Sequence, residues 1–133
     1  MTKEGLEKHD EGLPMTTDQF RRTALSFPQT EERSHMGHPD FRVAGKIFAT
    51  LCYPQEGWAM VKLTPEQQQE FVHDEPKVFV PVKGGWGKQG CTNVILGKAK
   101  TPSVRRALLA AWCNRAPKHL ASKFEASEAA PGC

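Results

Sequence analysis

Between residues 31 and 63 a glycine or proline recurs at Gly37, Pro39, Gly45, Pro54 and Gly57, and the short stretches between them favour β structure. Such punctuation predicts strands in a meander, over residues 32–36, 41–43, 46–53 and 58–63, with Ala44-Gly45 and Gln55-Glu56-Gly57 supplying turns. In the third stretch Ile47, Ala49 and Leu51 alternate with Phe48, Thr50 and Cys52, so apolar side chains point both ways and a central strand is expected.

Helix signals flank this block. Thr16 can cap a helix with Gln19 reaching back, after which Phe20, Ala24 and Phe27 fall at i, i+4 and i+7 until Pro28 ends it. Thr64-Pro65-Glu66-Gln67 repeats the logic with Pro at the first helical position, for a helix to about residue 73. Residues 78–80 and 92–96 read as strands joined by the loop 81–91. Thr101-Pro102 opens a third helix, whose Val104, Ala107, Leu108, Ala111 and Trp112 form an apolar stripe. The order helix, four strands, helix, two strands, helix implies an α+β fold, an antiparallel sheet of about six strands covered by helices.

With 133 residues, 38% of them hydrophobic and 25% charged, the chain suits one soluble domain. The domain is expected over residues 16–120, after a disordered lead-in at 1–15 and before a flexible tail at 121–133. No apolar run approaches the roughly 18 residues of a membrane span, and the first residues are too charged for a secretory signal. A cytoplasmic protein with no membrane contact is therefore expected. Its cysteines, Cys52, Cys91, Cys113 and Cys133, form no C-x-x-C pair and read as free thiols, with Cys52 and Cys113 as small buried hydrophobes.

The net charge of +3 decides little, but its distribution is uneven. Residues 77–124 contain ten Lys and Arg and no Asp or Glu, whereas the chain before Lys77 has 8 basic residues against 13 acidic ones. A cationic block joined to an acidic half points toward a polyanion partner, the alternative being lysines that merely solvate a surface.

Most candidate chemical sites fail on spacing. Ser34-His35-Met36-Gly37-His38-Pro39-Asp40 gathers imidazole and carboxylate groups, which suit zinc or iron, but along a strand His35 and His38 point to opposite faces unless a turn at Gly37 intervenes. With no second ligand pair elsewhere, no metal or cofactor is expected and His38-Pro39-Asp40 reads as a polar turn. Ser26, Ser34 and Ser103 lack a nucleophile-elbow context, so no enzyme is expected. Lys83-Gly84-Gly85-Trp86-Gly87-Lys88-Gln89-Gly90 lacks the ending of a phosphate-cradling P-loop. It reads as a hairpin tip whose lysines and indole, Lys83, Trp86 and Lys88, could lie along a phosphate backbone, or whose Trp86 could fold back to plug the sheet. Lys98, Lys100, Arg105 and Arg106 put four further cations at the start of the third helix, able to grip phosphates or simply to solvate it.

The succession of Phe20-Arg21-Arg22, Phe27-Pro28, Glu31-Glu32, His38-Pro39-Asp40-Phe41-Arg42-Val43, Gly45-Lys46-Ile47-Phe48-Ala49, Gly84-Gly85-Trp86-Gly87 and Val104-Arg105-Arg106-Ala107 resembles the YjbR/MmcQ family, over about residues 16–120. The stretch from His38 to Ala49 combined with the later tryptophan turn is its most specific part. The resemblance implies a compact fold similar to the bacterial frataxin-like, double-wing arrangement, and DNA binding. An iron-donor role does not carry over, because the first helix sets Asp18 beside Arg21 and Arg22 where an acidic ridge would be needed. The expectation is a monomeric module that contacts double-stranded nucleic acid through Lys83, Trp86, Lys88, Lys98, Lys100, Arg105 and Arg106, the alternative being a protein-interaction module.

Overall fold

The computed structural model describes residues 14–128, with side chains to Phe124. In chain order its elements are α1 (Thr17–Leu25), β1 (Thr30–His35), β2 (His38–Val43), β3 (Lys46–Leu51), β4 (Trp58–Lys62), α2 (Pro65–Asp74), β5 (Phe79–Pro81), α3 (Gly85–Lys88), β6 (Cys91–Ile95), α4 (Thr101–Arg115) and α5 (Lys118–Glu128). The six strands form one sheet in the order β1-β2-β3-β4-β6-β5, antiparallel throughout. The α+β sheet architecture read from the sequence is the one observed.

Both capping boxes form. Thr16 Oγ1 accepts from Gln19 N at 3.1 Å and Gln19 Oε1 accepts from Thr16 N at 2.9 Å; Thr64 and Gln67 repeat the pair at the same distances. Thr101 does not cap. It is the first helical residue of α4, and Lys100, at the cap position, makes no side-chain hydrogen bond there.

The hairpin turns correct one local reading. Met36 and Gly37 both have positive φ, +52° and +81°, as do Ala44 and Gly45, the pattern of a two-residue turn whose twist matches its strands. The chain therefore reverses at Met36–Gly37, His38-Pro39-Asp40 becomes strand rather than polar turn, and His35 sits directly opposite His38 on the same face of the sheet.

Alternation sorts the sheet residues into two faces. Phe41, Val43, Ala49, Leu51, Ala59, Val61, Val94 and Phe79 point toward the helices and are fully buried. There α1 sets Phe20 on Phe41 with ring centroids 6.0 Å apart, α2 sets Phe71 on Phe79 at 5.0 Å, and α4 packs along β3 and β4. At roughly 1.5–3 kcal/mol for each large side chain taken fully from water, this layer is the main stabilising mass. On the opposite face, Trp58, Met60 and Lys62 of β4, Val80 and Ile95 remain half-buried, with no helix among the described residues laid across them.

The expected lead-in and tail also change. Residues 1–13 lie outside the described residues, but Met15 is core: it is 3% exposed and its N–H reaches Leu96 O and Ala99 O. Where a flexible tail is expected from residue 121, α5 turns Leu120 and Ala121 inward and sets Phe124 edge-on to Trp112 and Phe27. An apolar stripe this short, in an Ala, Ser and Glu context, gains its helix from packing rather than propensity. Cys52 and Cys91 are free thiols, but Cys113 is disulfide-bonded, contrary to expectation. It follows the inward Trp112 on α4 and is half-buried against the core. No helix among the described residues is long and apolar enough to cross a membrane.

Candidate nucleic-acid interface

Lys83, Trp86 and Lys88 sit on the connection between β5 and β6, which is not an open hairpin tip but a single helical turn, α3. Three contacts fix it. Gly87 packs so closely that a Cβ there would lie 1.7 Å from Val82 O, and Gly90, at φ +111°, lies against Leu63. From α2, Gln68 Nε2 reaches Gly87 O and Cys91 O at 3.0 Å each and Thr92 Oγ1 at 3.2 Å. Gln68 carries no signal in the sequence, being one of three adjacent glutamines. So held, Trp86 does not plug the sheet: its indole is 62% exposed, with Lys62 Nζ 5.5 Å from the ring centroid. Lys83 and Lys88 are exposed beside it.

Lys98 and Lys100 lie past the other end of β6, in and after a short 3-10 turn, Leu96–Lys98. Arg106 is exposed on the first turns of α4, while Arg105 lies over the Phe27 ring at 5.4 Å. Thus the seven residues form two groups, brought together within each group but separated by the length of β6, about 15 Å for a five-residue strand. Sequence reasoning missed two cations of the first group. Asn114 Nδ2 donates to Lys62 O at 3.1 Å, which returns the end of α4 to the end of β4 and puts Arg115 and Lys62 near Cys91. Burial pushes the Cys91 thiol up, and those two positive charges pull the other way.

The carboxylates of α1, β1 and β2 are paired with arginines of the same segment. Asp18 pairs with Arg21 and Arg22, Glu32 with Arg21, and Glu31 with Arg33. Asp40, fully buried, accepts from Arg42 Nε at 2.8 Å and from His35 Nδ1 at 2.7 Å. By contrast, among the described residues none of Lys62, Lys83, Lys88, Lys98, Lys100, Arg106 and Arg115 has a carboxylate partner. No group of three or more His, Cys, Asp or Glu among the described residues is arranged to hold a metal ion.

The Arg42 hydrogen bond, opposed by burial and helped by His35, holds the Asp40 carboxyl below the usual carboxylate range. Its contribution to stability is therefore present above the unfolded value, about 3.9, and is lost as pH falls through the lower folded value. Asp40→Asn is expected to destabilise by about 2–3 kcal/mol at pH 7, somewhat less than a fully buried pair would lose because Arg42 stays partly wet. Urea midpoints should converge between variant and parent as pH drops below 3; a gap that widens on acidification would refute the assignment.

The sequence model of the YjbR family matches residues 25–114. No curated protein matches the chain in sequence. Among solved structures, the crystal structure of Deinococcus radiodurans protein DR2400, of the domain family DUF419, superposes with a TM-score of 0.66 at 17% identity, covering 89% of this chain and 91% of that one. At that identity the likeness speaks for the fold alone, whereas the family match takes in β1 to β6 and nearly all of α4. The chain belongs to the YjbR family.

Proposed function

We propose that the protein is a nucleic-acid-binding module, not a catalyst, that contacts phosphates through Lys83 and Lys88 beside Trp86 and through Lys98, Lys100, Arg105 and Arg106 past the other end of β6. The observation that carries this reading is the division of ion pairs. Arg21, Arg22, Arg33 and Arg42 are paired with carboxylates of their own segment, while Lys62, Lys83, Lys88, Lys98, Lys100 and Arg106 have none among the described residues. Unneutralised charge on the surface attracts a polyanion, and each phosphate contact releases counterions.

If six cations each neutralise a phosphate, affinity for DNA falls by roughly three decades between 50 and 200 mM salt. Combined replacement of Lys83, Lys88, Arg105 and Arg106 by Ala abolishes binding in fluorescence anisotropy. An isotherm unchanged across that salt range removes the reading. A protein partner is the second possibility, favoured by the half-buried Met60 and Ile95 on the uncovered face. Partners retained after nuclease treatment would select it.

A further inference from the structure

We infer that the uncovered face of the sheet takes a single strand of nucleic acid along β4, with bases laid on Trp58 and Trp86 and phosphates held by Lys62 and the lysines at either end; this rests on the phosphate-binding reading above. A duplex fits the molecule poorly. Reading a major groove takes a projecting helix or ribbon, yet α4 is buried from Ser103 to Trp112 apart from Arg105 and Arg106, and Arg105 is laid on Phe27. A duplex would also set its charged backbone against Trp58, Met60 and Ile95, which lie between the two cationic groups.

A single strand presents both chemistries at once. Its bases have apolar faces that stack on indole, and its phosphates lie to the side within reach of ammonium groups. The face is built with the complementary pattern. Strands β3 to β6 contribute no carboxylate at all, and the one buried acid nearby, Asp40 on β2, is satisfied by Arg42 and His35. Trp58 starts β4 and Lys62 ends it, where Trp86 stands with its indole 62% exposed. The acids of α2, namely Glu66, Glu70 and Asp74, line a depression on that helix, which packs on the opposite, helix-bearing face of the sheet.

The test uses the full chain at 50 mM salt with labelled dT12 and the dT12·dA12 duplex. The expected result is at least tenfold tighter binding of dT12, with quenching of tryptophan fluorescence; Trp112 is fully buried, so the quenched indoles are Trp58 and Trp86. Trp86→Ala, at an exposed position, should weaken dT12 at least fivefold and leave the duplex unchanged. Equal affinity for both, or binding without quenching and indifferent to Trp86→Ala, overturns the single-strand assignment and leaves the phosphate reading standing. Binding to neither overturns both. A chain that sediments as a dimer with Trp58 and Trp86 shielded from acrylamide assigns the face to a second copy, and the inference falls.

Discussion

Trp112→Ala is expected to lower the unfolding free energy by about 4–5 kcal/mol, the upper end of what truncating a buried aromatic costs. Against the 5–15 kcal/mol typical of a domain, that is a large fraction. Trp112 is fully buried on α4, stacks on Phe27 at 6.1 Å, meets Phe124 at 5.2 Å, and donates its indole N–H to Pro28 O at 3.2 Å. It thereby ties together the end of α1, α4 and α5. Truncation removes the transfer term, leaves a cavity, and strands a carbonyl. Trp112→Phe should cost about 1–2 kcal/mol, since a ring remains and the hydrogen bond is lost. Urea unfolding checks both, and hydrogen exchange should show α5 losing protection first in the Ala variant. A cost below about 2 kcal/mol for Ala would mean the site collapses and the three helices are not joined through this side chain.

Gly87→Ala and Gly85→Ala should differ in sign although both lie in α3. Intrinsic helix preference favours Ala over Gly by about 1 kcal/mol at an interior position. A Cβ at Gly85 would meet nothing within 4 Å, so that substitution should be neutral or stabilising by a few tenths. A Cβ at Gly87 would lie 1.7 Å from Val82 O and 2.8 Å from Val82 C, both backbone atoms that no rotamer change can move. Relief requires shifting the chain where Val82 N donates to Cys91 O and where Gln68 holds Gly87 O. We expect a loss of about 3 kcal/mol or more, above the usual overpacking range because the obstacle is main chain. Equal midpoints for the two variants would contradict the packing of this turn.

Local chemistry was readable and long-range placement was not. The Thr16 and Thr64 boxes formed because every partner lies within three residues. Ala44-Gly45 was legible as a turn through its glycine; Gly37 offered the same signal after Met36, but the β-favouring run through Met36 and the Pro39 that follows set the turn at His38-Pro39-Asp40 instead, which separated His35 from His38. The same limit governs the candidate interface. Periodicity identifies β6 as a strand, which by itself sends Lys88 and Lys98 to opposite ends, but cannot say that β6 inserts between β4 and β5 and so sets Lys62 beside the first group. Lys62 joins the first group through its pairing opposite Cys91, and Arg115 through the return path of α4 that Asn114 fastens to Lys62 O. The helix α3 escaped notice because Gly-Trp-Gly-Lys has little helix propensity of its own and is closed by tertiary contacts.

The two margins of the sheet have a consequence for behaviour at high concentration. A layer left bare on one side would invite stacking and strand addition from neighbouring molecules, yet β1 shows the exposed Glu31, Glu32, Arg33 and Ser34 along its outer border, and β5 is only three residues long and ends in Pro81, which has no N–H to offer. Strand addition is thus disfavoured at both borders, so one face of the sheet can stay free of helices without the edges offering neighbouring molecules a template.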